Sequence, residues 1–251
     1  MNFRFIEDGR SSAAFNMAVD EAIMLSAKKT GIPTVRFYGW KPAAISIGYF
    51  QGLEQEVDLN KCKEFGVDFV RRITGGGAVF HDAELTYSFV CTEDSGVVPK
   101  KIIDSYKKIC NSVVLGLKEL GLEAGFVPLN DIVVNGKKIS GNAQTRRGGV
   151  VLQHGTILLS VDVDKMFDLL KVPDEKMKGK LISDIKQRVT SVEQQLGKKV
   201  SFEKVASAMK AGFEKEFGAG LEKGKLSGEE TLLAKKIAKE RFSSREWNFR
   251  R

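Results

Sequence analysis

Cysteine and histidine are scarce in this chain of 251 residues, which contains three cysteines and two histidines. Cys62, Cys91 and Cys110 are widely spaced and odd in number, so they fit neither a disulfide framework nor a metal-binding cluster. Two histidines supply too few ligands to favour a structural zinc centre. We expect Cys91 and Cys110 to be core thiols, and Cys62 to lie on a helix at a core or surface position.

Long apolar runs are also missing, and none approaches the length that spans a membrane. The N-terminal residues lack the basic-then-apolar order of a signal peptide. No linker, repeat or low-complexity segment divides the chain, and its hydrophobic content of 42% is ordinary for a globular protein. These features predict a cytoplasmic protein without membrane contact, built as a single domain over residues 1–251.

Positive charge is in excess, with a formal net charge of +8. Such a surface suits an acidic partner, which can be a nucleotide, an acidic protein or a nucleic acid. The basic residues are spread through the chain, and no stacking aromatics are interleaved with them as single-strand binding requires. A nucleic-acid partner is therefore disfavoured.

Hydrophobic periodicity predicts alternating short strands and amphipathic helices. The predicted strands cover residues 3–7, 33–38, 43–49, 67–70, 78–80, 85–91, 132–134, 137–141, 150–153 and 157–161. The predicted helices cover residues 12–28, 57–65, 101–120, 164–170, 202–217 and 229–242, and another begins at 173–176. Residues 188–192 are typical of either a strand or the entry to a helix.

Three local expectations follow from this pattern. Residues 33–38 and 43–49 should pair as a hairpin, with Trp40 packed at its tip, and a pocket wall is the alternative for this tryptophan. Asn135-Gly136 is a strong signal for a second hairpin. Asn16, Asp20 and Glu21 lie off the apolar stripe of the first helix, so we expect them to be exposed.

Residues 71–82, RRITGGGAVFHD, form the stretch richest in potential chemistry. Three consecutive glycines suggest a loop whose backbone N–H groups approach a ligand closely. The arginines before them suit a phosphate or a carboxylate, and His81 and Asp82 add polar groups at the exit. A glycine-rich hairpin with a solvated basic flank is the alternative. The predicted strands on both sides favour an ordered binding loop.

A second informative stretch runs from 130 to 162. Alternation along its strands places Lys138 and Ser140 on one face and Ile139 on the other. An inward-facing lysine beside small polar residues is a candidate ligand for an anion. An exposed lysine on a sheet edge is the alternative.

Taken together, the motifs resemble the catalytic domain of lipoate-protein ligases. The resemblance is carried by RRITGGGAVFHD at 71–82, ND at 130–131, GKKISGNAQ at 136–144 and HGT at 154–156, with FNMA at 15–18, IGYFQ at 47–51 and SREWNF at 244–249 extending it over nearly the whole chain. It implies an α+β fold, a mixed β-sheet core flanked by helices, related to that of biotin protein ligases.

The resemblance implies activation of lipoate by ATP to lipoyl-adenylate, with magnesium, and transfer of the lipoyl group to a lysine of an acceptor. The implied acceptors are the lipoyl domains of 2-oxoacid dehydrogenases or the glycine cleavage H protein. Lys138 would bind the adenylate and stabilise developing negative charge. Asp131 is in addition a candidate for an indirect magnesium contact, and His154 matches a position near the lipoyl chain. The implied substrate and nucleotide residues are Arg72, Thr74, Gly75, Gly76, Gly77, His81, Asn130, Asp131, Ser140, Gly141 and His154.

Two departures from the family pattern matter. The segment AELTYS at 83–88 is more similar to the related octanoyltransferases, which move octanoate from acyl carrier protein through a cysteine thioester. Because no cysteine lies in the motifs, we predict ligase chemistry and keep octanoyl transfer as the alternative. The chain also stops just after 246–248, without the accessory domain of single-chain ligases. That suggests a separate accessory subunit that assists adenylation.

A third hypothesis belongs to another class, a non-catalytic module that binds lipoylated proteins or nucleic acid. Lys138 beside an intact glycine loop argues against it, since a pure binder has no need of that charge. Binding of an oligonucleotide that weakens with salt, without acyl chemistry, would favour the module.

Overall fold

The structure is a computed structural model that describes residues 2–171 and 178–250. The helix expected to begin at 173–176 lies outside the described residues. The strands are β1 (Phe3–Ser11), β2 (Thr34–Trp40), β3 (Ala44–Ile47), β4 (Asp68–Arg71), β5 (Val79–His81), β6 (Glu84–Thr92), β7 (Ala124–Val127), β8 (Asp131–Val134), β9 (Lys137–Arg147), β10 (Val150–Leu158) and β11 (Leu221–Gly224).

Helices alternate with these strands through most of the chain. They are α1 (Ala13–Thr30), α2 (Leu53–Glu56), α3 (Leu59–Phe65), α4 (Ile102–Glu119), α5 (Val163–Leu169), α6 (Lys178–Arg188), α7 (Val192–Leu196), α8 (Phe202–Phe217), α9 (Gly228–Ile237) and α10 (Arg245–Phe249), with a π-helical turn at Ala238–Phe242. Within the described ranges, no helix has both the length and the apolar character needed to cross a membrane.

Two sheets organise the fold. The large sheet has eight strands in the order β11-β1-β2-β6-β10-β9-β8-β7, and the small sheet has three in the order β4-β3-β5. In the large sheet β1 runs parallel to both β2 and β11, and the other pairings are antiparallel. The predicted α+β architecture, a mixed sheet flanked by helices, is therefore confirmed.

The two faces of the large sheet carry different helices. Helices α4 and α8 cover one face, where they pack so closely that a Cβ on Gly212 would lie 2.2 Å from the carbonyl oxygen of Ser112. Helix α1 covers the other face and packs against α9. Val19 and Ile23 of α1 are fully buried there. Each face thus has its own apolar core, and the small sheet has a third.

The hairpin predicted for residues 33–38 and 43–49 is wrong. Strand β2 pairs with β1 and β6, whereas β3 pairs with β4 and β5 in the small sheet. Every residue of β2 is buried, and a strand buried in this way needs neighbours on both edges. The short connection at 41–43 therefore carries the chain from one sheet to the other.

The second hairpin is confirmed, because β8 and β9 pair around Asn135-Gly136. Both turn residues have positive φ, 50° for Asn135 and 74° for Gly136, which is the conformation that Asn-Gly turns adopt readily. Strand β10, Val150–Leu158, joins the strand predicted at 150–153 to the first two residues of the one predicted at 157–161, and residues 159–161 lie beyond its end. Residues 188–192 are the entry to a helix, since Ser191 caps α7.

The expectation that Asn16 and Asp20 are exposed is also wrong, because both are buried in α1. Arg36 of the fully buried strand β2 faces them and donates to Asp20 Oδ1 at 2.8 Å and to Asn16 Oδ1 at 2.9 Å. A buried guanidinium requires such partners, since an unpaired charge in a core is strongly destabilising. Glu21, half-buried, pairs instead with Arg241 at 2.6 Å.

The end of the described chain is fastened to the start of the glycine loop. The guanidinium of Arg71, fully buried, donates to the carbonyl oxygens of Trp247, Asn248 and Arg250, and on its other side to that of Tyr49. Asn248 returns a contact, because its Oδ1 accepts from the backbone N–H of Arg71 at 2.7 Å. One side chain thus holds two distant parts of the chain together.

Candidate functional site

A cavity of about 320 Å³ lies where the large sheet, the small sheet, the glycine loop and helices α5 and α6 meet. It contains nine of the residues singled out from the sequence: Arg72, Gly76, Gly77, His81, Asn130, Lys138, Ser140, Gly141 and His154. Thr74, Gly75 and Asp131 are not among the lining residues, although each contacts one that is. Motifs far apart in sequence are thus brought to one place.

Arg72 is the residue that shapes the glycine loop. Its Nη2 donates to the carbonyl oxygens of Gly75 and Gly77, both at 2.8 Å, and its Nη1 donates to the carbonyl oxygen of Ser46 at 3.0 Å. The loop bends around the guanidinium at Gly76, where φ is +100° and a Cβ would lie 2.8 Å from Nη2. Glycine is required there for both conformation and space.

The loop also comes close to the end of β3. A Cβ on Gly48 would lie 1.9 Å from the carbonyl oxygen of Gly76, so this contact admits no side chain. At Gly75 and Gly77, by contrast, a Cβ would meet nothing within 4 Å. The middle glycine is therefore required by packing, and the outer two leave room beside the backbone.

Burial lowers the pKa of Arg72 to about 10, which still leaves the guanidinium protonated at neutral pH. Within the described residues it makes no ion pair with a carboxylate, and its donors go to carbonyl and hydroxyl oxygens. Its charge is therefore not cancelled locally. It makes the cavity favourable for a ligand oxygen that carries negative charge.

Lys138 reaches the cavity from the hairpin of β8 and β9. Its Nζ lies 2.7 Å from Asp131 Oδ1 on the paired strand, and the two side chains are about two-fifths and one-third exposed. The ammonium also lies 3.1 Å from the position that a Cβ of Gly141 would occupy. Glycine at 141 leaves space for the lysine to move between Asp131 and a ligand.

The expected magnesium role of Asp131 does not fit this geometry. Its carboxylate faces the Lys138 ammonium, and a cation beside a second cation is disfavoured. In the part of the chain that the structure describes, no three His, Cys, Asp or Glu side chains come together as a set of metal ligands. The donor set is that of an anion site.

His81 belongs to a relay of hydrogen bonds that begins at Arg72. Arg72 Nη1 donates to Ser46 Oγ at 3.2 Å, Ser46 Oγ lies 2.7 Å from His81 Nε2, and His81 Nδ1 lies 2.7 Å from Glu84 Oε1. Since the carboxylate only accepts, we assign the proton to Nδ1 and let Nε2 accept from the serine. Trp40 stacks on the imidazole with ring centroids 4.0 Å apart.

Glu84 ends this relay, and its two carboxylate oxygens differ in the number of hydrogen bonds that they accept. Oε1 receives hydrogen bonds from Thr86 Oγ1 at 2.6 Å and Trp40 Nε1 at 3.1 Å in addition to the one from His81. Oε2 is buried and has no hydrogen-bond partner within the described chain. Glu84 lines the cavity. An unsatisfied buried carboxylate oxygen at a cavity marks a place where a ligand N–H can bind.

His154 belongs to a second relay at the same cavity. Its Nε2 lies 2.6 Å from Thr74 Oγ1, and its Nδ1 lies 3.3 Å from Asp20 Oδ2. Burial lowers the pKa of His154, so the imidazole is neutral at neutral pH. Burial alone would raise the pKa of Asp20, but the hydrogen bond from His154 and the charge of Arg36 bring it below its usual value. Asp20 is therefore ionised.

The sequence analysis missed Asp20, Ser46 and Glu84 as parts of the site, and for Trp40 it preferred packing over the pocket-wall alternative. One signal was available for Asp20, since Arg36 stands in an apolar strand and must find an acid. Glu84 was noted only as a departure from the family pattern. Trp40 does pack as expected, but it packs on His81 and lines the cavity.

All three cysteines are buried, and none lines the cavity. The predictions that Cys91 and Cys110 are core thiols are confirmed, and Cys62 is also buried. Burial raises the pKa of Cys62 to about 11 and the pKa values of Cys91 and Cys110 to about 12. At neutral pH these groups are thiols, which are weak nucleophiles.

The glycine loop ordered by arginine, the lysine-bearing hairpin and the cavity with apolar walls fit an enzyme of the lipoate ligase and transferase class. The chain belongs to the family described as lipoyl protein ligase A/B catalytic domain, which matches residues 12–214.

Similar proteins fall into two functional groups. An octanoyltransferase LipM of Geobacillus kaustophilus is 40% identical over 99% of this chain and 98% of its own length. A bipartite lipoate-protein ligase of Thermoplasma acidophilum, solved in a study of that ligase and its E2 lipoyl domain, is 34% identical with a TM-score of 0.91 and covers 99% of this chain and 96% of its own. A lipoate-protein ligase A bound with ATP is 31% identical with a TM-score of 0.87, each chain covered to 99%.

The prediction of ATP-dependent lipoate activation is wrong. The curated relatives that are 35% to 40% identical over 98% to 99% of the chain are named octanoyltransferases. The predicted cofactors, ATP and magnesium, are wrong for the same reason. The family model covers ligases and transferases together, so membership of the family alone does not separate the two chemistries.

Proposed function

We propose that this chain transfers an octanoyl group from acyl carrier protein to a lysine side chain of a lipoyl domain. The reaction converts a thioester into an amide, which is downhill and needs no nucleotide. The acceptors we propose are the lipoyl domains of 2-oxoacid dehydrogenases or the glycine cleavage H protein.

The observation that carries the proposal is the cavity, which combines apolar walls with two cationic side chains. Phe80, Leu158, Met166, Ile185 and Val189 supply apolar surface. Each methylene of a fatty acyl chain buried against such surface contributes roughly 0.8 kcal/mol. The names of the relatives agree with a medium-length acyl chain as the cargo.

Lys138 and Arg72 provide the electrostatic part. When an amine attacks the thioester carbonyl, negative charge develops on the carbonyl oxygen. A lysine that exchanges between Asp131 and that oxygen stabilises the charge in the transition state. Arg72, without a carboxylate partner within the described chain, adds fixed positive charge at the same cavity. The lysine acts directly, and the arginine holds the glycine loop in place.

The accessory subunit was expected for an adenylation step. Octanoyl transfer contains no such step, so the proposed reaction does not require it. The single-domain organisation over residues 1–251 and the cytoplasmic location stay predictions.

The proposal is tested by mixing the purified chain with octanoyl acyl carrier protein and an apo lipoyl domain in the presence of EDTA and without nucleotide. We expect the lipoyl domain to gain the mass of one octanoyl group. A lipoyl domain that is modified only when free acid, ATP and magnesium are supplied would overturn the proposal.

Lys138→Met sharpens this test, with Lys137→Met as its control. We expect Lys138→Met to lower kcat/KM by about a hundredfold or more, because one donor to a developing oxyanion is lost. Lys137 is exposed on the same hairpin and does not line the cavity, so its variant should keep the activity. Equal losses in both variants would contradict the role of Lys138.

A further inference from the structure

We propose that a patch of arginine and aromatic side chains beside the glycine loop docks the acyl carrier protein, by binding the acidic surface around the carrier's phosphodiester-linked arm. The inference rests on the proposed function, which makes such a carrier the donor of the octanoyl group. The patch consists of Tyr49, Phe50, Arg147, Trp247 and Arg250, and none of these residues lines the cavity.

The side chains of the patch contact one another. The guanidinium of Arg250 lies over the rings of both Tyr49 and Trp247, 4.2 Å and 3.9 Å from their centroids. The guanidinium of Arg147 lies 4.8 Å from the Tyr49 centroid. Phe50 is 85% exposed, and its ring meets that of Tyr49 edge-on at 4.9 Å. Arginine and aromatic side chains are the residues in which protein interfaces are enriched.

The patch carries positive charge that is not neutralised by a carboxylate. Within residues 2–171 and 178–250, neither Arg147 nor Arg250 forms an ion pair, whereas Arg241, which stacks on the same tryptophan, is paired with Glu21. A hydrogen bond and positive charge from Arg250, with a contribution from Arg147, lower the pKa of the Tyr49 hydroxyl. Surroundings that favour a phenolate also favour the carboxylates or the phosphate of a partner.

Arg71 holds the backbone beneath the patch. Its guanidinium donates to the carbonyl oxygens of Tyr49 and Trp247, and also to that of Arg250. Trp247 Nε1 donates in return to the carbonyl oxygen of Arg71 at 2.8 Å. These bonds fix the patch before a partner arrives, and a preorganised surface loses less conformational entropy on binding.

The patch is also joined to the glycine loop. The backbone N–H of Tyr49 donates to the carbonyl oxygen of Thr74 at 2.9 Å, and Arg147 Nη2 donates to that of Ile73 at 3.2 Å. Gly76, which lines the cavity, follows Thr74 by two residues, a span of at most roughly 7 Å. The patch therefore lies beside the cavity and not within it.

This position suits the carrier better than the acceptor. A carrier holds its acyl group at the end of a pantetheine arm, so its body can dock beside the cavity while the thioester reaches inside. The acceptor lysine is much shorter, and its domain must dock over the cavity itself. The arm is attached through a phosphodiester, whose oxygens match the planar N–H fork of an arginine.

Two other occupants fit the patch less well. A single-stranded nucleic acid stacks its bases on aromatic faces, but Tyr49 and Trp247 already have guanidinium groups stacked on them. A second copy of this chain brings the same net charge of +8, which opposes a contact between two such patches. An acidic carrier meets neither obstacle.

The first experiment measures binding of dye-labelled octanoyl acyl carrier protein by fluorescence anisotropy, so that the result does not depend on turnover. We expect Kd to rise with salt. We also expect Arg147→Glu to raise Kd about tenfold or more, and Arg147→Lys, which keeps the charge, to stay within about threefold of the parent.

Lys204→Glu is the matched control, because it makes the same change of charge at an exposed residue of α8. Helix α8 covers one face of the large sheet, whereas Trp247 packs against the core of the other face. Equal Kd values for Arg147→Glu and Lys204→Glu, or no binding of the carrier by the unmodified chain, would overturn the inference.

The second experiment compares two octanoyl donors, the carrier protein and octanoyl-pantetheine, which has neither a protein nor a phosphate. We expect Arg147→Glu to lower kcat/KM about tenfold with the carrier and to leave it unchanged with octanoyl-pantetheine. Equal losses with both donors would show damage to the glycine loop and not to docking. That result would contradict the inference.

Two further outcomes would assign the patch to another partner and so reject the carrier. One is a rise in KM for the lipoyl domain alone, and the other is binding of an oligonucleotide that Arg147→Glu abolishes. Failure of the proposed function gives a different result. Carrier binding that depends on Arg147, without octanoylation of the lipoyl domain from either donor, would reject the reaction and keep the docking surface.

Discussion

The two histidines of this protein line one cavity and each belongs to a relay of hydrogen bonds, and the two relays differ at their acidic ends. Asp20 behind His154 is compensated, because Arg36 donates to its Oδ1 at 2.8 Å and Tyr38 donates to its Oδ2 at 3.0 Å. Glu84 behind His81 makes no pair with lysine or arginine within the described residues, and its Oε2 has no partner.

The difference separates a structural relay from one that is open to a ligand. Asp20, with both oxygens engaged, fixes α1 to β2 and orients His154. Glu84 also orients its histidine, but its Oε2 has no partner within the described residues. In the proposed reaction, the acceptor lysine is a donor of the right kind, because it enters as an ammonium group before it attacks as an amine. We therefore expect mutations in the two relays to change different properties, the stability for Asp20 and the activity for Glu84.

Asp20→Asn should give the largest effect, and that effect should be on stability. The substitution leaves the buried Arg36 with only the partly exposed Asp8 as its carboxylate partner. Breaking a buried ion pair destabilises by about 3 kcal/mol. Urea unfolding followed by circular dichroism measures the change. Glu21→Gln is the matched control, because its pair with Arg241 is partly exposed and worth less than about 1 kcal/mol.

Equal unfolding free energies for Asp20→Asn and Glu21→Gln would remove the basis for calling the relay through His154 structural. Asp20 would then be no more important to the fold than its half-buried neighbour Glu21.

Glu84→Gln should have the next largest effect, on activity. Glutamine keeps an oxygen for His81, Thr86 and Trp40 but loses the charge that attracts an ammonium group. We expect the KM for the lipoyl domain to rise about tenfold, the KM for octanoyl acyl carrier protein to stay unchanged, and the unfolding free energy to change by less than about 1 kcal/mol. Steady-state kinetics with each substrate varied separates these terms.

If Glu84→Gln instead destabilised the protein as strongly as Asp20→Asn while sparing the KM for the lipoyl domain, the two relays would be equivalent. The unused oxygen of Glu84 would then have no role in binding.

The smallest expected effect is on how the unfolding free energy depends on pH, and it comes from the relay of His154 and Asp20. The pKa of His154 is lowered in the folded protein, chiefly by burial, so the unfolded chain binds a proton more readily. The stability contributed by the neutral imidazole is complete above the ordinary histidine pKa and declines as the pH falls through that value and below. Asp20, whose folded pKa is also lowered, adds a loss at still lower pH.

We therefore expect the unfolding free energy to fall from pH 7.5 towards pH 5, and His154→Gln to fall less steeply because glutamine does not titrate. Chemical denaturation at a series of pH values gives the two slopes. Identical slopes would show that His154 keeps its ordinary pKa and that its imidazole is more exposed to water than the structure indicates.

The sequence predicted the fold class, the family and nine of the residues that line the cavity, and the reasons are local. The glycine loop, the Asn-Gly hairpin and the histidine motifs each carry their geometry within a few residues. Strand pairing between distant segments is not encoded within a few residues. The association of β3 with the small sheet and the existence of β7 and β11 were therefore missed. Those strands are four residues or shorter, and their partners decide that they are strands.

Asp20 illustrates a second limit of prediction. Its partners Arg36 and His154 lie 16 and 134 residues away, so helical periodicity could only describe it as a polar residue off the apolar stripe. The chemistry was missed for a related reason. Activation of an acid and transfer from a thioester both require a bound carbonyl beside a lysine, and the motifs describe that shared requirement.

The hydrogen bonds from Arg71 to residues 247–250 have a consequence for synthesis on the ribosome. The carbonyl oxygens that satisfy this buried guanidinium belong to Trp247, Asn248 and Arg250. While those residues are still inside the exit tunnel, Arg71 lacks the partners it needs, and the glycine loop beside it has no fixed anchor. The nascent chain can build its sheets early, but Arg71 gains these partners only after residues 247–250 have left the tunnel.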